Sequence, residues 1–156
     1  QGHSFLVPEV ITIRPVVRSD RTAWGQLWKG YCDFYEETVA DPVTEATWEK
    51  FFDDGAPLFS LVAEDSTGVA VGFVNCVVGD STWALSADCY LEDLYVDPGV
   101  RGRGTGRALI DAVLEKARGE GWRRVYWQTH KTNTVARALY EKIAPVSDWV
   151  IYEVSV

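Results

Sequence analysis

The chain has 156 residues, of which 47% are apolar and 13% aromatic, and its formal net charge is −8. This size and composition predict one globular domain over residues 5–156, following Gln1-Gly2-His3, which is typical of a cloning remnant. The acidic net charge favours solubility, mild attraction of cationic substrates and no nucleic-acid partner. The sequence has no long apolar run and no visible signal peptide, which favours a cytoplasmic protein with no membrane partner.

The three cysteines, Cys32, Cys76 and Cys89, are odd in number and far apart in sequence. This pattern argues against a disulfide framework and against a zinc site, so we expect no metal and a reducing compartment. Each lies among apolar residues, where cysteine usually serves as a small core residue.

The N-terminal part predicts a strand followed by two helices. Residues 10–16 alternate in polarity, which indicates an edge strand, and Ser19 or Asp20 is suited to cap the next helix. An interruption at residues 41–42 separates this helix from a second one predicted over residues 44–53. The first helix carries an aromatic stripe that belongs to the core or, near its end, lines a substrate pocket: Trp24, Leu27, Trp28, Tyr31, Cys32, Phe34 and Tyr35.

The rest of the chain alternates strands and helices. Helices are predicted up to Glu120 and from Asn133 or Thr134 to residue 143. Strands are predicted over residues 58–64, 69–78, 89–96, 124–129 and 148–156. Hairpins come first and a strand–helix–strand crossover follows. The order predicts an α/β (α+β) fold with a mixed, mostly antiparallel central sheet of six to seven strands and helices on both faces.

A glycine-rich basic loop lies between the strand at residues 89–96 and the helix that follows it. The loop reads Arg101-Gly102-Arg103-Gly104-Thr105-Gly106-Arg107. Glycines leave backbone N–H groups unshielded, a helix start adds partial positive charge, and arginines add charge-assisted contacts, so the loop predicts phosphate binding. It lacks the Lys-Ser/Thr of a P-loop and the Gly-x-Gly-x-x-Gly spacing of a dinucleotide site. It fits the pattern Arg/Gln-x-x-Gly-x-Gly/Ala.

Together with Asn133-x-x-Ala136-x-x-x-Tyr140-x-Lys142, this loop resembles the GNAT superfamily of N-acetyltransferases, and the resemblance covers essentially the whole chain. Residues 90–96 also resemble the spermidine/spermine and histone/polyamine acetyltransferases. The resemblance implies acetyl-CoA as cosubstrate, its pyrophosphate on the loop amides and its pantetheine in a cleft between splayed strands. The cofactor-binding residues that it implies are Leu94, Tyr95, Val96, Arg101, Gly102, Arg103, Gly104, Thr105, Gly106, Arg107, Asn133 and Ala136.

Glu92 and Asp93 are adjacent in a predicted strand, so they point to opposite faces unless a bulge intervenes. At least one carboxylate then enters covered space, where an unpaired charge is costly and calls for a reason. An acceptor amine is mostly protonated at neutral pH and must lose a proton before it attacks a thioester. We therefore assign Glu92 as the general base, a choice that the polyamine resemblance supports, and Asp93 a structural role.

Tyr140 is seven residues after Asn133, so both lie on one helix face, offset from the apolar stripe. The resemblance implies that Tyr140 is the general acid that protonates the departing CoA thiolate. The backbone N–H of Leu94 is expected to stabilise the oxyanion.

We expect direct acetyl transfer to a primary amine, with a small amine, polyamine or amino acid favoured over a protein lysine. The residues expected to contact this substrate are Trp28, Tyr31, Tyr35, Glu36, Trp127 and Gln128, of which the aromatic and acidic ones suit a small cation. The alternative is a non-catalytic acyl-CoA-binding sensor or regulatory module, which needs neither Glu92 nor Tyr140. Aromatic content and the resemblance also predict a homodimer.

Overall fold

The computed structural model describes residues 10–156, in which five strands form one mixed sheet. In their order across the sheet they are β1 (Thr12–Pro15), β2 (Leu58–Glu64), β3 (Ala70–Asp80), β4 (Ala87–Val96) and β5 (Arg124–Tyr126). Neighbours are antiparallel except β4 and β5, which are parallel. The mixed, mostly antiparallel sheet is confirmed, whereas the predicted count of six to seven strands is wrong. The cloning remnant and the start of the predicted domain lie outside the described residues.

Four helices accompany the sheet: α1 (Arg21–Phe34), α2 (Asp41–Lys50), α3 (Thr105–Glu120) and α4 (Thr134–Tyr140). Single 3₁₀ turns lie at Arg18–Asp20 and Pro98–Val100. The α2 helix begins earlier than predicted because Pro42 sits in its first turn, where the missing N–H has no helical partner to lose. In the described part of the chain, no helix combines the length and the apolar character that a membrane span requires.

Apolar side chains form one core on each face of the sheet. Leu61 and Ala63 of β2 face a core built on α3, while Val62 between them faces a core built on α1 and α2. The α1–α2 core is aromatic and contains Trp24, Trp48 and Phe73. Trp24 and Phe73 are fully buried. Helices on both faces are thus confirmed.

The cysteines are free and buried, as expected for small core residues. Cys76 and Cys89 lie on neighbouring strands in the α3 core. Within residues 10–156, no group of His, Cys, Asp or Glu side chains is arranged to hold a metal ion.

The C-terminal segment departs most from the prediction, because residues 145–156 form no strand. A strand is held by hydrogen bonds to a neighbour, and the outer edge of β5 pairs with nothing in the described chain. The β5 strand ends at Tyr126 rather than at residue 129, and α4 ends at Tyr140 rather than at residue 143. The segment leaves these large apolar side chains exposed: Val146, Trp149, Val150, Ile151, Tyr152, Val154 and Val156.

Candidate active site

A β-bulge in β4 brings two neighbouring carboxylates to one face of the sheet. The register pairs Asn75 with Asp93 and the next residue of β3 with Leu91, so Glu92 has no partner residue. The extra residue reverses the alternation of side chains: Leu91 and Leu94 both face the α3 core, whereas Glu92 and Asp93 both line a cavity on the other face. A bulge thus intervenes, which is the exception allowed for from the sequence, and the two acids do not point to opposite faces.

The cavity that these acids line has a volume of about 510 Å³ and is bordered by α1, α2 and strands β2 to β4. Glu37, at the end of α1, adds a third carboxylate. Among the described residues that line it, none is Lys, Arg or His. The cavity is therefore negatively charged and favours a cationic ligand.

The aromatic wall predicted for the substrate is present. The cavity is lined by Trp28 and Tyr31 of α1 and by Tyr35, the residue directly after this helix. The rings of Trp28 and Tyr31 stack with centroids 5.3 Å apart, and those of Tyr31 and Tyr35 lie 4.9 Å apart. This ladder places π faces beside the carboxylates, an arrangement suited to an ammonium group.

Three other predicted substrate residues lie outside this lining. Glu36 is exposed, with a left-handed φ of 54° at the end of α1, and the next residue, Glu37, takes its place in the cavity. Trp127 packs edge-on against Tyr140, with ring centroids 5.7 Å apart. Gln128 is exposed beyond the end of β5.

Asn75 is a cavity residue that sequence reasoning missed. It is 5% exposed and lines the cavity beside Asp93. Its Nδ2 donates to Oδ2 of Asp93 over 3.1 Å. The available signal was its position as the lone polar residue in the otherwise apolar run from Ala70 to Val78.

Glu92 and Asp93 differ in their surroundings. Partial burial, and then the negative charge of Asp93, raise the pKa of Glu92. Burial also raises the pKa of Asp93, against hydrogen bonds donated by Tyr31 and Asn75 that lower it. Within residues 10–156 no side chain donates a hydrogen bond to Glu92, which is exposed to solvent. Glu92 is therefore the carboxylate that is available to take a proton.

The glycine-rich loop leads into α3. Gly102 and Gly104 have φ of 82° and 77°, a left-handed conformation that favours glycine. The first N–H groups of α3, from Thr105 onward, have no acceptor within the helix. The buried Oγ1 of Thr105 also finds no hydrogen-bond partner in the described chain. Unpaired amides, a helix N-terminus and an orphaned hydroxyl fit a phosphate group here.

Arg101 ties this loop to β4 and α1. Its Nε donates to the carbonyl oxygen of Val96 over 3.0 Å. Its guanidinium lies 5.1 Å from the ring centroid of Tyr95 and 5.8 Å from that of Phe34. Arg101 is thus engaged with protein groups, and its predicted contact with phosphate stays a prediction.

Two more predicted cofactor residues have protein contacts of their own. Arg107 pairs with Asp111 one turn along α3, at 3.3 Å. The Tyr95 ring packs on α1, where a Cβ at Gly30 would come within 2.6 Å of the tyrosine hydroxyl. The side chain of Tyr95 therefore faces α1, and only its backbone remains for a cofactor in the cleft.

The strands β4 and β5 separate after a short ladder. Asp88 pairs with Arg124, and the last pair joins Tyr90 to Tyr126. Beyond this point, within residues 10–156, the β5-facing edge of residues 91–96 has no strand partner. An unpaired edge of the described chain therefore runs along the backbone of Leu94 and Val96, where the sequence predicts the pantetheine cleft.

Tyr140 is the last residue of α4 and is half-buried. Asn133 caps this helix, because its Oδ1 accepts from the N–H of Ala136 over 3.2 Å. Burial, and then the neighbouring Tyr35, raise the pKa of Tyr140. The hydroxyl is therefore protonated at neutral pH, as a general acid requires.

Known proteins share this architecture and sequence. Residues 24–144 match the acetyltransferase (GNAT) family. A D-amino-acid N-acetyltransferase of Saccharomyces cerevisiae is 34% identical over 149 residues, which cover 95% of this chain and 92% of that protein. A type 1 aminoglycoside N(6')-acetyltransferase of Klebsiella aerogenes is 27% identical over 139 residues, or 82% of this chain and 84% of that protein.

The crystal structure of an aminoglycoside N-acetyltransferase in complex with CoA superposes with a TM-score of 0.75 at 26% identity, covering 96% of this chain and 99% of that one. These relatives are enzymes that acetylate amines, so the alternative of a non-catalytic sensor or regulatory module is not favoured. The chain belongs to the acetyltransferase (GNAT) family and is an N-acetyltransferase, an enzyme that transfers an acetyl group to an amine.

Proposed function

We propose that the protein transfers acetyl from acetyl-CoA directly to a small primary amine held in the cavity of Glu92 and Asp93. The observation that carries this proposal is that the cavity is lined by Glu92 and Asp93 of β4, the strand whose β5-facing edge is unpaired beyond Tyr90 within residues 10–156. Acetyl-CoA fits the start of α3, where Thr105 Oγ1 has no partner within residues 10–156. The loop glycines, the first amides of α3 and the open backbone near Leu94 and Val96 would hold it.

In the proposed reaction, Glu92 accepts a proton from the ammonium group and frees the lone pair of the nitrogen. The new C–N bond forms as the C–S bond of the thioester breaks, and Tyr140 donates its proton to the sulfur. The nitrogen then loses its second proton, which returns to the Tyr140 oxygen, and Glu92 releases the first proton to solvent. The N–H of Leu94 would stabilise negative charge on the carbonyl oxygen. Every proton is handled by residues of this chain, and no protein nucleophile is used.

The acceptor class that the cavity favours is a cationic amine such as a polyamine. Three carboxylates line the described cavity, and no cationic side chain does. A second candidate is an amino acid, because the yeast relative is a D-amino-acid N-acetyltransferase. Its carboxylate would meet three like charges, Glu37, Glu92 and Asp93, and no cationic side chain among the described lining residues, which favours the polyamine.

Thiol release from acetyl-CoA across a panel of amines tests the proposal. The panel contains 1,4-diaminobutane, spermidine, D-alanine and a lysine-containing peptide. We expect the two polyamines to give the highest kcat/KM. A preference for D-alanine would favour an amino acid over a polyamine as the acceptor. CoA binding without turnover of any amine would support the alternative of a non-catalytic acyl-CoA-binding sensor.

We also propose that the protein acts as a homodimer in the cytoplasm. The free cysteines fit a reducing compartment. Fractionation of the source cells checks the compartment, and sedimentation velocity checks the assembly.

A further inference from the structure

The direction of the side chain of Tyr140, the proposed general acid, is set by packing. Within residues 10–156 its hydroxyl forms no hydrogen bond with another group. Its helix, α4, is short, and Tyr140 is the last residue of that helix. A tyrosine at a helix end can adopt more than one staggered rotamer unless neighbouring side chains hold it. Neighbouring side chains therefore decide where this hydroxyl lies.

Two observations place Tyr140 near both the glycine-rich loop and the amine cavity. The preceding residue, Leu139, lies beside the start of α3, where a Cβ at Gly106 would come 3.9 Å from its methyl group. Burial, and then the charge of Tyr35 on the cavity wall, raise the pKa of Tyr140. Tyr140 is therefore close to the expected positions of both the cofactor and the acceptor.

Trp127 touches the ring of this tyrosine. It is the first residue after β5, directly beyond the last pair of the β4–β5 ladder, Tyr90 with Tyr126. Its side chain packs against the α3 core, as do those of Val125 and Tyr140. The rings of Trp127 and Tyr140 meet edge to face, with centroids 5.7 Å apart and an angle of 67° between their planes. Trp127 thus joins the proposed acid to the point where β4 and β5 stop pairing.

An edge-to-face contact between aromatic rings is directional. The positive edge of one ring is attracted to the negative face of the other, so the pair favours one relative orientation. Trp127 is itself held, because it continues β5 directly and packs against the buried α3 core. Proton transfer needs the hydroxyl within hydrogen-bond reach of the sulfur, and a displacement of about 1 Å can cost up to about a hundredfold in rate.

We propose that Trp127 is a positioning residue for acetyl transfer, whose indole ring holds the Tyr140 ring so that the hydroxyl reaches the sulfur of the departing CoA. This inference rests on the proposed role of Tyr140 as general acid. It replaces the substrate contact expected for Trp127 from the sequence, since Trp127 is not among the described residues that line the cavity. Trp127 acts through Tyr140 and contacts neither the amine nor the thioester in this scheme.

A double-mutant cycle between Trp127→Leu and Tyr140→Phe tests the proposal. Both kcat and the two KM values are measured with whichever of the four panel amines gives the highest kcat/KM. In the wild-type background, Trp127→Leu should lower kcat about fivefold or more, but by no more than Tyr140→Phe does. Both KM values should stay within about twofold, because Trp127 binds neither ligand. In the Tyr140→Phe background the same change should lower kcat by less than about twofold, since the hydroxyl that Trp127 positions is already absent.

Two further variants separate ring positioning from loss of packing. Trp127→Phe keeps an aromatic ring and should restore most of the kcat that Trp127→Leu loses. Trp122→Leu is the matched control, because Trp122 is also a half-buried tryptophan on the α3 core and packs on Phe59, with ring centroids 5.8 Å apart. It should change kcat by less than about twofold. If Trp127→Leu does not fold, Trp127→Met takes its place, because a flexible methionine fills the gap without holding a ring.

The outcomes distinguish this inference from the proposed function. A loss of kcat in Trp127→Leu that is equally large in the wild-type and Tyr140→Phe backgrounds would show a general packing effect and overturn the inference. An unchanged kcat in Trp127→Leu beside a reduced kcat in Tyr140→Phe would overturn it and leave the proposed function intact. An unchanged kcat in Tyr140→Phe, or no turnover with any panel amine, would remove the proposed acid chemistry and the role of Trp127 with it.

Discussion

The proposed roles of Tyr140 and Glu92 each require only one property of the side chain. The proposed acid, Tyr140, needs a protonated hydroxyl, and burial raises its pKa further. The proposed base, Glu92, needs affinity for a proton, and burial and the charge of Asp93 raise its pKa. The two lie on elements that are far apart in sequence, α4 and β4. Their proposed roles can be separated by substitution.

Replacing Tyr140 by phenylalanine should lower kcat by about tenfold or more, because the departing sulfur then lacks its proton donor. Binding of CoA should be nearly unchanged, since the ring that packs on Trp127 is kept. Stopped-flow turnover and calorimetric CoA titration check both halves. Equal turnover in the variant would remove Tyr140 as the acid.

Glu92→Gln should lower kcat by about a hundredfold and abolish the acidic limb of the pH–rate profile. The base is active when deprotonated, and the pKa of Glu92 is raised, so activity is present above this raised pKa and is lost as pH falls through it. Glu115→Gln, at an exposed position on α3, serves as the matched control and should keep the wild-type profile. If the limb persists in Glu92→Gln, another group is the base.

At the scale of elements, the start of α3 and the pairing of β4 with the start of β5 help to shape the candidate site. Gly104 at the start of α3 shapes the glycine-rich loop, and arginines at the start of β5 pair with Asp88 of β4. Both features are local, so each predicts a measurable effect on stability.

Gly104→Ala and Gly119→Ala make the same change at the two ends of α3 and should have opposite effects. Gly104 has φ of 77°, so alanine there should cost about 1–2 kcal/mol in the free energy of unfolding and raise KM for acetyl-CoA. Gly119 lies within the helix with open space around its Cβ, so alanine should stabilise by up to about 1 kcal/mol. Urea unfolding measures both. Destabilisation by Gly119→Ala as large as by Gly104→Ala would contradict the conformational argument.

Asp88 anchors the start of β5. Arg123, followed by Arg124, lowers the pKa of Asp88 from 3.8 to about 2. Because the folded pKa is depressed, the pair contributes stability above about pH 4 and loses it as pH falls towards 2. Asp88→Asn should therefore lower the free energy of unfolding at pH 6 and match the wild type near pH 2.

Urea unfolding at both pH values checks this prediction. Asp33→Asn, in an exposed pair with Lys29, is the control and should change stability little at either pH. A deficit in Asp88→Asn that is equally large at both pH values would point to packing instead of charge.

At the scale of the whole molecule, charge and shape act together. The chain carries a net charge of −8, and its cavity is acidic. Negative potential raises the encounter rate of cations and is screened by salt. We expect kcat/KM for 1,4-diaminobutane to fall several-fold, roughly threefold or more, from 20 to 200 mM NaCl, and more steeply than for butylamine. Equal slopes for the two amines would show that the second charge meets no carboxylate.

A structural feature could be predicted from the sequence when the interactions that form it join residues close together along the chain. The loop at residues 101–107, the helix cap at Asn133 and the aromatic stripe on α1 follow from local spacing, and each lies where the sequence indicates. Pro42 differs, because a proline that a first helical turn tolerates has the same local signature as a proline that interrupts a helix.

By itself, the sequence determined the elements whose hydrogen bonds close within a few residues, along with the motifs that identify the family. Only the tertiary structure decided the bulge that turns Glu92 and Asp93 to one face, the unpaired oxygen of Asn75 and the absence of a strand at residues 148–156. The physical reason is that a strand's register, and whether it forms at all, depend on hydrogen bonds to a partner that is distant along the chain or belongs to another chain.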